Sequence, residues 1–85
     1  MTKQQCIDEI LMLINHSDRV EHRDDGLGRI DISFPFCNGE FSYQKYLNDD
    51  CGYFEYKGKT WMCDKYTILK FKEAIRSNYC NVVFL

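Results

Sequence analysis

An 85-residue chain with a formal net charge of −2 and 28% charged residues has room for one hydrophobic core. It buries about 60–65% of its unfolded surface, which caps its stability at roughly 5–10 kcal/mol. Five cysteines, odd in number and nowhere spaced C-x-x-C, argue against a zinc ribbon, a redox pair or a disulfide scaffold, and are expected to be reduced, mostly buried small hydrophobes. The apolar run 10–14 is preceded by Asp8 and Glu9 and is too short for a signal-peptide core or a membrane span. The expectation is a cytoplasmic protein with no membrane association.

Along the chain, Thr2 followed three residues later by Gln5 is a capping-box pattern, and Ile7, Ile10, Leu11 and Ile14 recur at helical spacing. A helix from about Lys3 to Asn15 follows. Residues 16–28 are dense in charge, with Asp24-Asp25-Gly26 as a turn and room for a short edge strand near Val20. From Arg29 to Leu47 the pattern is that of a hairpin, with Ile30, Ile32, Phe34 and Phe36 alternating up to Asn38-Gly39 and Phe41, Tyr43 and Leu47 alternating back. A two-residue turn at Asn38-Gly39 would set Phe36 against Phe41, Phe34 against Tyr43, Ile32 against Lys45 and Ile30 against Leu47. That register points Lys45 at the core, where it would have to snorkel past the sheet edge.

A loop at Asn48–Cys51 would then pair Tyr46 with Tyr53, Lys45 with Phe54 and Tyr43 with Tyr56. A tight turn at Lys57-Gly58 would place Trp61 opposite Phe54 and Met62 opposite Tyr53. Asp64 caps a second helix from Lys65 to about Ser77, with Ile68, Phe71 and Ile75 as its apolar stripe. The apolar tail from Cys80 to Leu85 is expected to pair at a sheet edge or tuck under that helix. Residues 1–85 therefore read as a single α+β domain of two layers: an antiparallel sheet of four to five strands with an N-terminal and a C-terminal helix packed on one face.

No catalytic constellation stands out. His16 and His22 lie near Asp18, Glu21, Asp24 and Asp25 but match no metal-ligand spacing, and the Asp24-Asp25 and Asp49-Asp50 pairs fall in turns, where aspartate is favoured for its local hydrogen bonds. No metal and no cofactor are implied, and the chain is read as non-enzymatic.

Charge is the stronger signal. Residues 1–55 carry five basic and eleven acidic side chains, while residues 56–85 carry six basic and two acidic ones. Asp18, Glu21, Asp24 and Asp25, reinforced by Asp8 and Glu9 if the first helix folds back, would form an acidic surface attractive to a basic protein groove. Tyr46, Tyr53 and Met62 on the outer sheet face, rimmed by Asp31 and Glu55, have the apolar centre and polar edge of a contact spot. The competing surface is the segment Lys57, Lys59, Lys65, Lys72 and Arg76, interleaved with Tyr56, Trp61 and Tyr66, which would suit a nucleic acid. With Tyr56 and Trp61 facing the core and the rest of the domain acidic, direct nucleic-acid binding is the lesser expectation.

In composition the chain, with many Ile, Lys, Asn, Tyr and Phe and one alanine, resembles the accessory proteins of A+T-rich phage genomes. That association implies an inhibitor, of anti-restriction or anti-CRISPR type, acting in the host cytoplasm. It would occlude a host or defence-system protein, itself nucleic-acid-binding, by steric block or nucleic-acid mimicry. A homodimer formed through the terminal strand or outer sheet face is a third reading.

Overall fold

Period-2 and period-3.6 patterns sort the chain into two helices and one mixed sheet. The computed structural model describes residues 1–44 and 51–85, and for Cys51 the backbone alone. The elements are α1 (Lys3–His16), β1 (Val20–Asp24), β2 (Arg29–Phe34), β3 (Gly39–Gln44), β4 (Cys51–Tyr56), β5 (Lys59–Asp64), α2 (Lys65–Ser77) and β6 (Val82–Phe84). Among the described residues the sheet has six strands in the order β5-β4-β3-β2-β1-β6, not four to five. The added strands are β1, which pairs antiparallel with β2, and β6, which lies parallel to β1 with Val20 beside Val82. Sequence pattern left both uncertain because a strand of three to five residues has too few alternations to register.

Both helices start where local chemistry sets them. Thr2 and Gln5 exchange side-chain and backbone hydrogen bonds at 3.2 and 2.8 Å, closing the capping box on α1. The Asp64 carboxylate accepts from the Thr67 backbone N–H at 3.0 Å at the head of α2.

The first hairpin differs from its expected register. Phe34 pairs with Gly39, Ile32 with Phe41 and Ile30 with Tyr43, a slip of four residues on the far strand. Pro35 is the reason. With Asn38-Gly39 as a two-residue loop, Pro35 would oppose Ser42 in a hydrogen-bonded pair, which needs an N–H that proline lacks. Instead Pro35 occupies the second position of a turn closed by the Cys37 N–H on the Phe34 carbonyl at 2.9 Å, and Asn38 takes φ 49°. Phe36 is left on the turn, 76% exposed, and does not meet Phe41.

On the other side of β3, Tyr43 pairs with Phe54 and Phe41 with Tyr56, a slip of two. The expected Ile32–Lys45 and Tyr43–Tyr56 pairs are thereby replaced. Lys45, Tyr46, Leu47 and residues 48–50 lie outside the described residues. The β4–β5 hairpin falls as read, with Phe54 opposite Trp61 and Tyr53 opposite Met62. Lys57 (φ 51°) and Gly58 (φ 76°) form its two-residue turn, both in the left-handed conformation that matches strand twist.

The core gathers Ile7, Ile10 and Ile14 of α1, Ile68, Phe71 and Ile75 of α2, and the alternate residues Ile30, Ile32, Phe34, Phe41, Tyr43, Phe54 and Tyr56 of the sheet. Phe71 is its hub. The ring has no exposed surface and lies 5.2 Å from Phe41, 5.6 Å from Phe54 and 6.1 Å from Tyr43, centroid to centroid. Tilted and edge-on rings in such contact contribute about 0.5–1.5 kcal/mol per pair beyond area burial. Cys6 and Cys63 are buried, but Cys37 and Cys80 are exposed because they sit in the β2–β3 turn and the α2–β6 link; none of these four is in a disulfide. Truncation of Phe71→Ala is expected to cost about 3–5 kcal/mol, read as a lower urea midpoint at unchanged slope. A loss below about 1 kcal/mol would mean that α2 is not anchored through this ring.

Candidate functional site

Of the acidic residues singled out above, Glu21, Asp24, Asp25 and Asp31 lie on the β1–β2 hairpin. Asp24 accepts the Gly26 backbone N–H at 2.8 Å, and Asp25 accepts those of Leu27 at 2.7 Å and Arg29 at 3.0 Å. The Asp25 N–H in turn donates to the Arg29 carbonyl at 3.1 Å. Four bonds within six residues hold a turn that also uses the positive φ of Gly26 and Gly28. The result projects Leu27, 89% exposed, between two glycines and behind two aspartates.

Leu27 was not among the residues singled out by pattern. Its signal was legible in principle: a leucine in a charged turn belongs to no apolar face of either period, so it is not there for the core.

Asp18 is exposed between α1 and β1, and Glu21 lies on β1 within 3.3 Å of Arg19. Asp8 and Glu9 do not extend this acidic surface as a block, because Glu9 turns toward β4. Its carboxylate accepts the Tyr56 hydroxyl at 3.0 Å and the Lys57 ammonium at 2.7 Å.

Asp31, Tyr53 and Glu55 lie on the outer sheet face, where the register aligns Arg23, Asp31, Ser42, Glu55 and Thr60 in one row across the strands. This face forms an open groove of about 520 Å³, walled by Glu21, Arg23, Asp31, Glu40 and Glu55. Asp31 is ion-paired with Arg29 at 2.8 Å, which raises the guanidinium pKa. Tyr53 receives the Gln44 amide on its hydroxyl at 2.9 Å and stands opposite Met62, itself 68% exposed. Its expected partner Tyr46 lies outside the described residues.

The basic residues are more dispersed. Lys57 is committed to Glu9 and lies 5.3 Å from the Tyr56 ring centre. Lys59 is exposed at the start of β5, Lys65 lies 5.5 Å from the Tyr66 ring centre, and Lys72 and Arg76 follow on α2. Tyr56 is 1% exposed and Trp61 is partly buried against the core, so neither offers a face for base stacking, whereas Tyr66 is 65% exposed. Among the described residues no three His, Cys, Asp or Glu side chains converge as a metal site, and no helix is long and apolar enough to cross a membrane.

No protein-family model matches the chain, and neither a curated protein nor a solved structure is significantly similar to it.

The titrating groups that couple to folding lie in the scaffold. Glu9 is held below the usual carboxylate range by its bond from Lys57 and then by that from Tyr56. Its contribution is thus present above the ordinary carboxylate pKa of 4.5 and lost as pH falls through the depressed value. Glu9→Gln is expected to cost roughly 0.5–1 kcal/mol at neutral pH and to flatten the acid limb of a melting-temperature profile. An unchanged acid limb would remove Glu9 from the pH dependence.

Burial, with Asp24 adding, pushes the Tyr43 hydroxyl up to about 12, from 10.0. The neutral form is favoured in the fold, so stability is intact below pH 10 and falls as pH rises toward 12. Tyr43→Phe should shift alkaline unfolding to higher pH, and an unaltered alkaline midpoint would contradict this assignment.

Proposed function

We propose that this chain is a non-enzymatic protein-binding module that acts by occlusion. The observation that carries the reading is the β1–β2 tip, an exposed leucine held on a hydrogen-bonded turn and flanked by Asp24 and Asp25. A tip ordered before contact loses little entropy on binding, an apolar residue surrounded by polar ones is the usual anatomy of a binding hot spot, and carboxylates at its rim speed encounter with a basic groove. In this reading the two helices cover the apolar side of the sheet, and the partner meets the tip together with Asp18, Glu21 and the outer face around Asp31, Tyr53 and Glu55.

The class of target that suits an acidic finger is a protein whose groove is built for a polyanion. An inhibitor of a host enzyme or an immune nucleoprotein complex, of anti-restriction or anti-CRISPR type, fits that description. The phage-like composition supports the same reading. Catalysis is not invoked, because the Asp24 and Asp25 carboxylates at the tip are engaged with their own backbone.

The test compares what co-purifies from source cells with the native chain and with Leu27→Ser. Because Leu27 is 89% exposed, the substitution is expected to change stability by less than about 0.5 kcal/mol while losing the captured protein. Equal recovery of the same partner by both chains would sink the tip as the contact.

A further inference from the structure

Ion pairing leaves one group of cations unused. Arg19, Arg29 and Lys57 are committed to Glu21, Asp31 and Glu9, whereas among the described residues no carboxylate pairs with Lys70, Lys72 or Arg76. All three lie on α2, whose thirteen residues hold four basic side chains and one acidic, against seven basic and twelve acidic in the rest of the chain. The helix spreads them along a line: Lys65 and Arg76 are eleven residues apart, about 16 Å along the axis. Asp64, at its head, is occupied with the backbone N–H and hydroxyl of Thr67 at 3.0 and 3.1 Å.

The face that carries these cations is fixed by what the core takes. Ile68, Phe71 and Ile75 are buried, so helical spacing turns Tyr66, Leu69, Lys70, Glu73 and Arg76 to solvent, with Lys72 half-buried at their flank. Tyr66 is 65% exposed, and the Lys65 ammonium lies 5.5 Å from its ring centre. An exposed aromatic ring beside a line of unpaired cations is the arrangement that stacks a base and holds the neighbouring phosphates. The surface is narrower than the segment starting at Lys57: it gains Lys70 and leaves out Lys57, Tyr56 and Trp61, which the fold uses elsewhere.

We propose that the solvent face of α2 binds a short stretch of single-stranded nucleic acid, with Lys70, Lys72 and Arg76 meeting phosphates and Tyr66 stacking on a base. An anionic membrane is disfavoured, because an interfacial helix buries its apolar stripe in lipid and that of α2 is already in the core. An acidic protein is disfavoured because Glu73, not an apolar residue, holds the middle of the face, where a protein contact has its desolvated centre. The net charge of −2 counts against a long polyanion, which would also meet the acidic hairpin; a segment no longer than α2 need not reach it. The inference is independent of Leu27 and of the occlusion reading.

The experiment titrates a fluorescent oligothymidylate of about ten nucleotides with the native chain at low salt. Its anisotropy should rise to saturation, and log affinity should fall against log salt with a slope of about −2 to −3, as three or four phosphate contacts require. Tyr66→Ala should weaken binding roughly fivefold or more at unchanged slope. Lys70→Gln combined with Arg76→Gln should make the slope shallower by about 1 to 1.5. Glu73→Gln, which removes the one anion from the face, should tighten binding by about twofold or more. Leu27→Ser should bind as the native chain does, which separates failure here from failure of the tip as a contact. The substituted positions are all exposed, and the salt slope of the native chain needs no variant. The proposal is overturned by absence of saturable binding, by a slope near zero, or by full affinity in both the Tyr66→Ala and the double-glutamine chains. It is also overturned by equal displacement of the oligonucleotide with polyglutamate or with phosphatidylserine vesicles, or by loss of binding in Leu27→Ser.

Discussion

The contact of Phe71 with Phe41, Tyr43 and Phe54 is the constraint on which the rest of this molecule depends. A domain of this size buries too little surface to rely on many small contacts. With a single alanine and thirteen aromatic residues, it concentrates apolar area in a few large rings. Phe71 ties α2 to the neighbouring strands β3 and β4 at once. The Glu9 carboxylate, receiving the Tyr56 hydroxyl and the Lys57 ammonium, does for α1 and the β4–β5 turn what the ring does for α2. Apolar burial supplies most of the energy, and the polar clamp fixes which end of α1 meets which turn.

Because the inward face is spent on this core, what distinguishes one side of the molecule from another is charge. In the strand order the acidic β1–β2 hairpin lies near one edge and β5 forms the other, with α2 crossing from β5 back toward β6. Four inter-strand spacings of about 4.8 Å separate β5 from β1, on the order of 19 Å and well beyond the roughly 8 Å screening length of physiological salt. A net charge of −2 describes neither side.

The registers show how much a pattern can specify. Both hairpin slips are even, four residues across β2–β3 and two across β3–β4, so the described side chains of β2, β3 and β4 keep their faces although their partners change. Face is dictated by the alternation of Ile30, Ile32, Phe34, Phe41 and Tyr43, a property of many residues together. Partner is dictated by turn chemistry, where one residue can prevail: Pro35, lacking an N–H, displaced the loop from Asn38-Gly39. At Lys57-Gly58, where no proline intervenes, the expected pairs of Phe54 with Trp61 and Tyr53 with Met62 formed.

What the sequence determined by itself were the quantities read over a few consecutive residues: both helices with their caps at Thr2 and Asp64, the buried faces of β2 to β5, the β4–β5 turn and the turn at Asp24-Asp25-Gly26. These are local because hydrogen bonds across three or four residues and a period of two or 3.6 require no distant partner. Tertiary structure alone decided that β6 returns to lie parallel to β1, that Glu9 leaves the acidic surface for Tyr56 and Lys57, and that Phe71 of α2 meets Phe41, Tyr43 and Phe54. Each joins residues far apart in the chain, and such a pairing is chosen by the packing of the whole core, a sum to which no short window of sequence has access.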